Sequence, residues 1–94
     1  MKLLEAIKKS FPELEKLFDR ESLYEFSNCK YENLWIYHFS IGARIRNNML
    51  TKDSKLTELF LSEGVKHKDH MSMILIQLFH QSLHKIGQTH NITS

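Results

Sequence analysis

Residues 34–48 read LWIYHFSIGARIRNN, an apolar run that closes around a histidine and a glycine and ends in two arginines and two asparagines. The fold turns on how this stretch is read. At about 100° per residue, Leu34, His38, Ile41, Ile45 and Met49 fall in one narrow sector, with Trp35 and Gly42 beside it. Phe39, Ala43 and Leu50 extend the apolar surface around the back. The spacing predicts a helix over about 30–49, and a helix apolar on so much of its circumference is expected at the centre of a bundle. Gly42 lies one turn after His38. Glycine inside a helix costs about 1 kcal/mol against alanine, so another backbone is expected to approach closely there.

Towards the C-terminus, Thr51-Lys52-Asp53-Ser54 reads as a loop ending in a helix cap. Leu56, Leu59 and Phe60 then form one face of a short helix that Gly64 closes in the left-handed conformation. Val65-Lys66-His67-Lys68 crosses to Asp69, the expected N-cap of the last helix. There Met71, Leu75, Leu78, Phe79, Ser82 and Ile86 share a face, and Gly87 is expected to end it before a polar tail, 88–94. Towards the N-terminus, Leu3, Leu4 and Ile7 share a face over 2–9. Ser10-Phe11-Pro12-Glu13 has the form of a capping box with proline in the first turn, so a second helix is expected over about 11–20. Ser22 and Glu25 suggest a further short turn, and Ser27-Asn28 would cap the central helix.

No period-2 pattern occurs, and three glycines and one proline are few for a fold of many turns. The expectation is one all-α domain over 1–87, a compact bundle of four or five helices with helices about 30–49 and 70–86 forming its centre. The net charge of +2 comes from thirteen basic residues interleaved with eleven acids, with no run that would argue for a nucleic-acid partner. Cys29 is the only cysteine, which excludes an intrachain disulfide. Charge at Lys2 and Glu5 comes too early for a signal peptide, and the apolar runs are far shorter than a membrane span. A cytoplasmic chain with no membrane association is expected.

No catalytic residue emerges from the individual candidates. His38 reads either as a core histidine with one polar partner or as a functional group in a cleft. Arg44 and Arg46 leave an ideal helix on opposite flanks, so they form no clamp on one phosphate. Arg46 borders the apolar sector and needs a carboxylate or carbonyl partner, for which Glu58, Glu63 and Asp69 are candidates. His80 and His84 have the i, i+4 spacing of a metal-binding pair, with His67 and His70 upstream. Neither an acid nor a cysteine joins them within a turn, and both are expected to face water, so no metal site and no cofactor are assigned. Cys29 lies near an expected helix N-terminus, an environment that lowers a thiol pKa, but has no base nearby. The pair 55–63 and 70–86 resembles a helix-turn-helix only loosely. Its connection is too long, and His70-Met71-Ser72-Met73 offers no cluster to read base edges.

The stretches YHFSIGARIRNNM and LTELFLSEGVKHKDHMSMIL together resemble an uncharacterised bacterial family of small all-helical domains, a domain of unknown function. Its pattern runs H-F-x-[LI]-G-x-x-I-R-N, then a short helix ending in glycine, then a histidine and an Asp-x-Met-Ser start to the last helix. His38, Phe39, Gly42, Ile45, Arg46, Asn47, Gly64, His67, Asp69, Met71 and Ser72 carry the likeness, which covers 31–86. The chain departs from the pattern at Lys68, where proline is expected, and at Asn48-Met49, where an aromatic is expected. The resemblance implies a helical fold and no activity, substrate or cofactor. It does single out His38, Arg46, Asn47, His67 and Asp69 as a polar network, or a cleft, joining two parts of the chain.

The functional expectation is a non-enzymatic cytosolic module that binds a protein, regulatory or at most antitoxin- or immunity-like, with a second copy of the chain as another possible partner. Leu61 and Met73, with Leu23 and Ile36, lie off the main stripes and form its candidate partner face. Two rivals stand beside it: a small-ligand or enzymatic domain using His38, Arg46 and His67 in a polar cleft, and a nucleic-acid-binding helical domain.

Overall fold

Six helical segments follow one another in the computed structural model, which describes residues 2–93 and their side chains as far as His84. They are α1 (Lys2–Lys16), α2 (Arg20–Asn28), a 3₁₀ segment (Tyr31–Tyr37), α3 (Ile41–Asn48), α4 (Lys55–Ser62) and α5 (Lys68–Thr93). No strand occurs among the described residues. The all-α class holds, with more segments than the four or five expected.

The long α5 is the hub, packed against α1, α2, the 3₁₀ segment and α3, while α1 also packs on α4. Two adjacent rows of α5 are buried: Met71, Leu75 and Phe79 in one, and Ser72, Ile76 and His80 in the other. Met71, Leu75 and Phe79 of the expected stripe are thus buried, while its Leu78 and Ser82 are only half-buried and the buried face extends instead to Ser72, Ile76 and His80. Phe26 from α2 fills the space in front of Phe79 and His80. It is fully buried, stacks on Phe79 at 5.8 Å and meets the edges of Tyr37 and His80. The backbone of α5 continues past Gly87, so this glycine does not end the helix. The side chains of Ile86 and of 88–94 lie outside the described residues.

At the N-terminus, one helix replaces the expected two. Ser10 does not cap forward: it is buried, and its hydroxyl donates back to the Ile7 carbonyl. Pro12 and Lys8, whose carbonyl loses its partner to the proline ring, both lie on the exposed face where water can compensate. Ile7 and Leu14, with half-buried Phe11 between them, keep one stripe across the proline, and that shared burial holds the helix together. The cap of α2 is Asp19, three residues before the expected turn at Ser22. The Asp19 carboxylate accepts from the Ser22 amide at 2.7 Å while the Ser22 hydroxyl accepts from the Asp19 amide. The Ser22 amide, with the Ser22 hydroxyl beside it, holds the exposed Asp19 carboxyl below its ordinary value. Ser27 and Asn28 belong to the last turn of α2, where both side chains donate to the Tyr24 carbonyl.

The largest departure is at 30–49. This stretch is a 3₁₀ segment and a short α-helix separated by His38, Phe39 and Ser40. Tyr31, Asn33, Trp35, Ile36, Tyr37, His38, Phe39 and Ser40 all have middling or poor helix propensity, so little favours continuing an α-helix through them. In a 3₁₀ helix, residues three apart eclipse. Leu34 and Tyr37 consequently share the inward row, and Leu34 is buried. Trp35, Ile36 and Phe39 fall on other rows and face solvent. This stretch is therefore not apolar at its centre all round, and it lies against the hub as two pieces.

The C-terminal half conforms more closely. Ser54 caps α4, its hydroxyl accepting from the Thr57 amide at 3.1 Å. Gly64, with φ of 88°, closes α4 as its amide donates to the Leu61 carbonyl and the Val65 amide to Phe60. The last helix starts earlier than expected. Lys68 is its first residue, the Met71 amide bonds the His67 carbonyl, and Asp69 stands inside the first turn, not at the cap.

Candidate functional site

Arg46 is the centre of the polar region that joins the two halves of the chain. It projects from the last turn of α3 towards the start of α5, with its side chain 19% exposed. One terminal nitrogen, Nη1, donates to the Ser72 hydroxyl at 3.0 Å, and Nη2 donates to the His38 carbonyl at 3.2 Å. Nε lies 3.5 Å from the Asp69 carboxylate. Ser72 in turn donates to the Asp69 carbonyl at 2.9 Å. The guanidinium therefore ties three places together: the end of the 3₁₀ segment, α3 and the first turn of α5. Its planar fork suits this, because several donors leave it in fixed directions.

Gly42 makes room for that side chain. A Cβ there would stand 3.1 Å from Arg46 Nη1, 3.3 Å from the Tyr37 carbonyl oxygen and 3.7 Å from Ile76 Cδ1. The expected close approach is real, but it comes from the arginine and the end of the 3₁₀ segment as well as from α5.

The other expected members of the network fare unevenly. His38 is half-buried, its ring set edge-on against Phe39 at 4.9 Å, and it reaches Arg46 only through its backbone carbonyl. It is not a core histidine, and its side chain takes no part in the Arg46 network. Asn47 and His67 are exposed, and neither side chain bonds to Arg46. Ser72, buried and central to the network, replaces them. The clue was its place three residues after Asp69 in a row with Ile76 and His80. Among the described residues, no buried side-chain nitrogen or oxygen lacks a partner.

The remaining candidates are corrected by their surroundings. His80 does not face water: it is 3% exposed, and its Nε2 lies 2.7 Å from the Cys29 carbonyl. A carbonyl only accepts, so this nitrogen carries the proton. Burial holds the His80 pKa below its ordinary value. The Cys29 hydrogen bond opposes that, and His84, its ring 4.2 Å away, reinforces it. No cluster of three metal-ligating side chains exists among the described residues. Cys29 is a half-buried free thiol at the C-terminal cap of α2, one residue before Lys30, the N-cap of the 3₁₀ segment, as its expected place near a helix N-terminus requires. Arg44, on the other flank of α3, donates to the Leu17 carbonyl at the end of α1, 3.0 Å away.

Exposed apolar surface concentrates in the 3₁₀ segment and the turn after it, where only Ile36 was expected to be exposed. Tyr31, Trp35, Ile36 and Phe39, all within nine residues, are 61, 63, 51 and 79% exposed. Of the expected partner face, Leu61 and Ile36 are half-exposed, whereas Met73 and Leu23 pack partly buried against the core. No helix among the described residues is long and apolar enough to cross a membrane.

A family described as Domain of unknown function (DUF6794) matches residues 5–83, and the chain belongs to it. The match takes in α1 and α2 as well as the region of the quoted motifs. Neither a curated protein nor a solved structure matches the chain.

Proposed function

We propose that this member of the DUF6794 family is a protein-binding module of the cytoplasm whose contact surface is the 3₁₀ segment and the turn after it. One observation carries the reading: Tyr31, Trp35, Ile36 and Phe39 are all more than half exposed within nine residues, on a stretch that the buried Leu34 anchors to the core. Aromatic side chains on a fixed backbone lose little entropy on binding, and tryptophan and tyrosine are enriched at the energetic centres of protein interfaces. The flanking charges are mixed, Lys30 and Glu32 on the segment and Glu25 before it, which suits a protein partner better than a uniformly anionic surface. The rival cleft of His38, Arg46 and His67 lacks support, because two of the three side chains stay outside the network.

Trp35 is the only tryptophan, so its emission reports directly on occupancy of this surface. A partner captured from the native host and purified should shift that emission to the blue and bind Trp35→Ala or Phe39→Ala at least about tenfold more weakly. Equal binding to both variants, with unshifted emission, would remove this surface from the proposal.

A further inference from the structure

The wall between α4 and the start of α5 holds a second, chemically different surface. An open cleft of about 330 Å³ is lined by Lys52, Thr57, Leu61, Lys66, Lys68 and Met71. Lys52 comes from the loop after α3, Lys66 from the connection between α4 and α5, and Lys68 is the first residue of α5. Thr57 and Met71 are buried at its base, while Leu61 remains 49% exposed between the lysines. All three lysines are exposed, and none is ion-paired among the described residues. No carboxylate lines the cleft. The nearby acid of the α5 first turn, Asp69, is paired with Arg46.

We infer that this cleft docks an acidic peptide segment that inserts one apolar side chain against Leu61 and Met71 while its carboxylates meet Lys52, Lys66 and Lys68. Charge complementarity selects the occupant. Three lysines with no counter-charge favour an anionic partner, and the apolar base rewards a side chain that a simple anion lacks. The volume lies at the lower end of ligand pockets, enough for one anchoring side chain and the backbone beside it. A single nucleic-acid strand fits less well. No aromatic lines the cleft to stack a base, and three lysines make a short track for a phosphate backbone. An anionic membrane is served by larger basic clusters on flat or convex faces. None of the aromatic residues of the 3₁₀ segment lines this cleft, so the inference stands independently of that surface.

The test uses a short fluorescent peptide with a central leucine flanked by glutamates, titrated into the full chain. Controls replace the glutamates by glutamines or the leucine by glycine; an oligothymidine strand and phosphatidylserine vesicles serve as rival anions. The acidic peptide should bind and weaken with added salt, and both peptide controls should bind at least about tenfold more weakly. Lys66→Gln with Lys68→Gln, a pair of exposed positions that leave the melting curve in place, should cause a similar loss, as should Leu61→Gln. Trp35→Ala should bind the peptide normally. The inference is overturned if no acidic peptide binds, if the glutamine control binds equally, if the lysine variant binds undiminished, or if only the oligonucleotide or the vesicles bind.

Discussion

Residues 31–49 and 68–84 are both rich in apolar side chains, yet the first divides into a 3₁₀ segment and a short helix while the second runs as one α-helix. Their residues differ in kind. In α5 the buried rows are Met71, Leu75 and Phe79 beside Ser72, Ile76 and His80, set in a helix otherwise rich in methionine, leucine, isoleucine and glutamine, and both rows bury against neighbours along the helix. Between 31 and 40, aromatic, β-branched and short polar residues dominate, and only Leu34 is buried. Apolar spacing thus states which side chains could share a face. Whether the backbone stays helical depends on intrinsic preference and on who receives the carbonyls where it breaks. Arg46 receives one of them, His38.

The sharpest way to break this comparison is to truncate the neighbours Leu34 and Trp35. In a continuous α-helix the two would sit in adjoining sectors and cost similar amounts. In the 3₁₀ segment, Leu34→Ala should destabilise by about 2–5 kcal/mol, as for a buried leucine, and Trp35→Ala should stay within about 0.5 kcal/mol. Paired urea melts decide it. Comparable losses would restore a single helix to this stretch.

Gly42 tests the join between the pieces. Gly42→Leu should cost about 1–3 kcal/mol by driving a side chain into Arg46, the Tyr37 carbonyl and Ile76, and Gly42→Ala should cost less. Arg46→Met should fall in a similar range, about 1–3 kcal/mol, because it strips the His38 carbonyl of its donor and removes one of the Ser72 hydroxyl's partners. Thermal melts of the three variants, with circular dichroism to confirm helix content, would check both. Wild-type melting of Gly42→Leu would mean that the glycine faces open space.

Much of the C-terminal half was legible because its signals are local. Ser54 caps, Gly64 takes a positive φ, and the Met71, Leu75 and Phe79 spacing marks a buried row, all readable within a few residues. The N-terminal errors came from rival local signals that tertiary burial decided. Ser10 and Glu13 match a capping box, but the Ile7–Leu14 stripe crosses Pro12 and holds one helix. The break at 38–40 was hidden because a 100° projection places Leu34, His38 and Ile41 together, and a 3₁₀ turn advances by more than that per residue. The network was half legible: Arg46 and Asp69 follow from the need of a bordering arginine for a carboxylate. His67 and Asn47 do not join the network, since both side chains are exposed and Arg46 directs its donors to Ser72 and the His38 carbonyl, which no local signal shows. Ser72 and His80 were missed as buried groups because they are polar and lie in the row beside the apolar stripe, which neighbouring elements also cover.

That second row gives α5 a pH-dependent hold on the other region, through His80 and the Cys29 carbonyl just before the 3₁₀ segment. Burial lowers the folded-state pKa of His80 below 6.5, so the unfolded chain takes up a proton first as the pH falls. The contribution is complete above about 6.5, is lost as the pH drops through the window down to the folded value, and changes no further below it. Urea melts between about pH 8 and 5 should show stability falling on the acid side. His80→Gln, which keeps a donor for Cys29, should flatten that part of the curve. An unchanged slope would place the titrating group elsewhere.

The smallest effect is expected at Asp69, the partner on the α5 side of the join. Its side chain is 71% exposed and its oxygen lies 3.5 Å from Arg46 Nε, so water screens the pair and holds part of the carboxylate. Asp69→Asn should therefore change stability by less than about 1 kcal/mol, well under the loss from Arg46→Met. The Asp69 backbone carbonyl that takes the Ser72 hydroxyl survives the change, so Ser72 remains tied to the first turn and to Arg46. Guanidinium unfolding would mask a charge effect with its own salt, so urea at low ionic strength is the suitable measurement. If Asp69→Asn costs as much as Arg46→Met, the join depends chiefly on the ion pair. If it costs little, the hydrogen bonds to the His38 carbonyl and Ser72 carry the join, and the arginine binds the broken stretch to the continuous helix mainly through neutral partners.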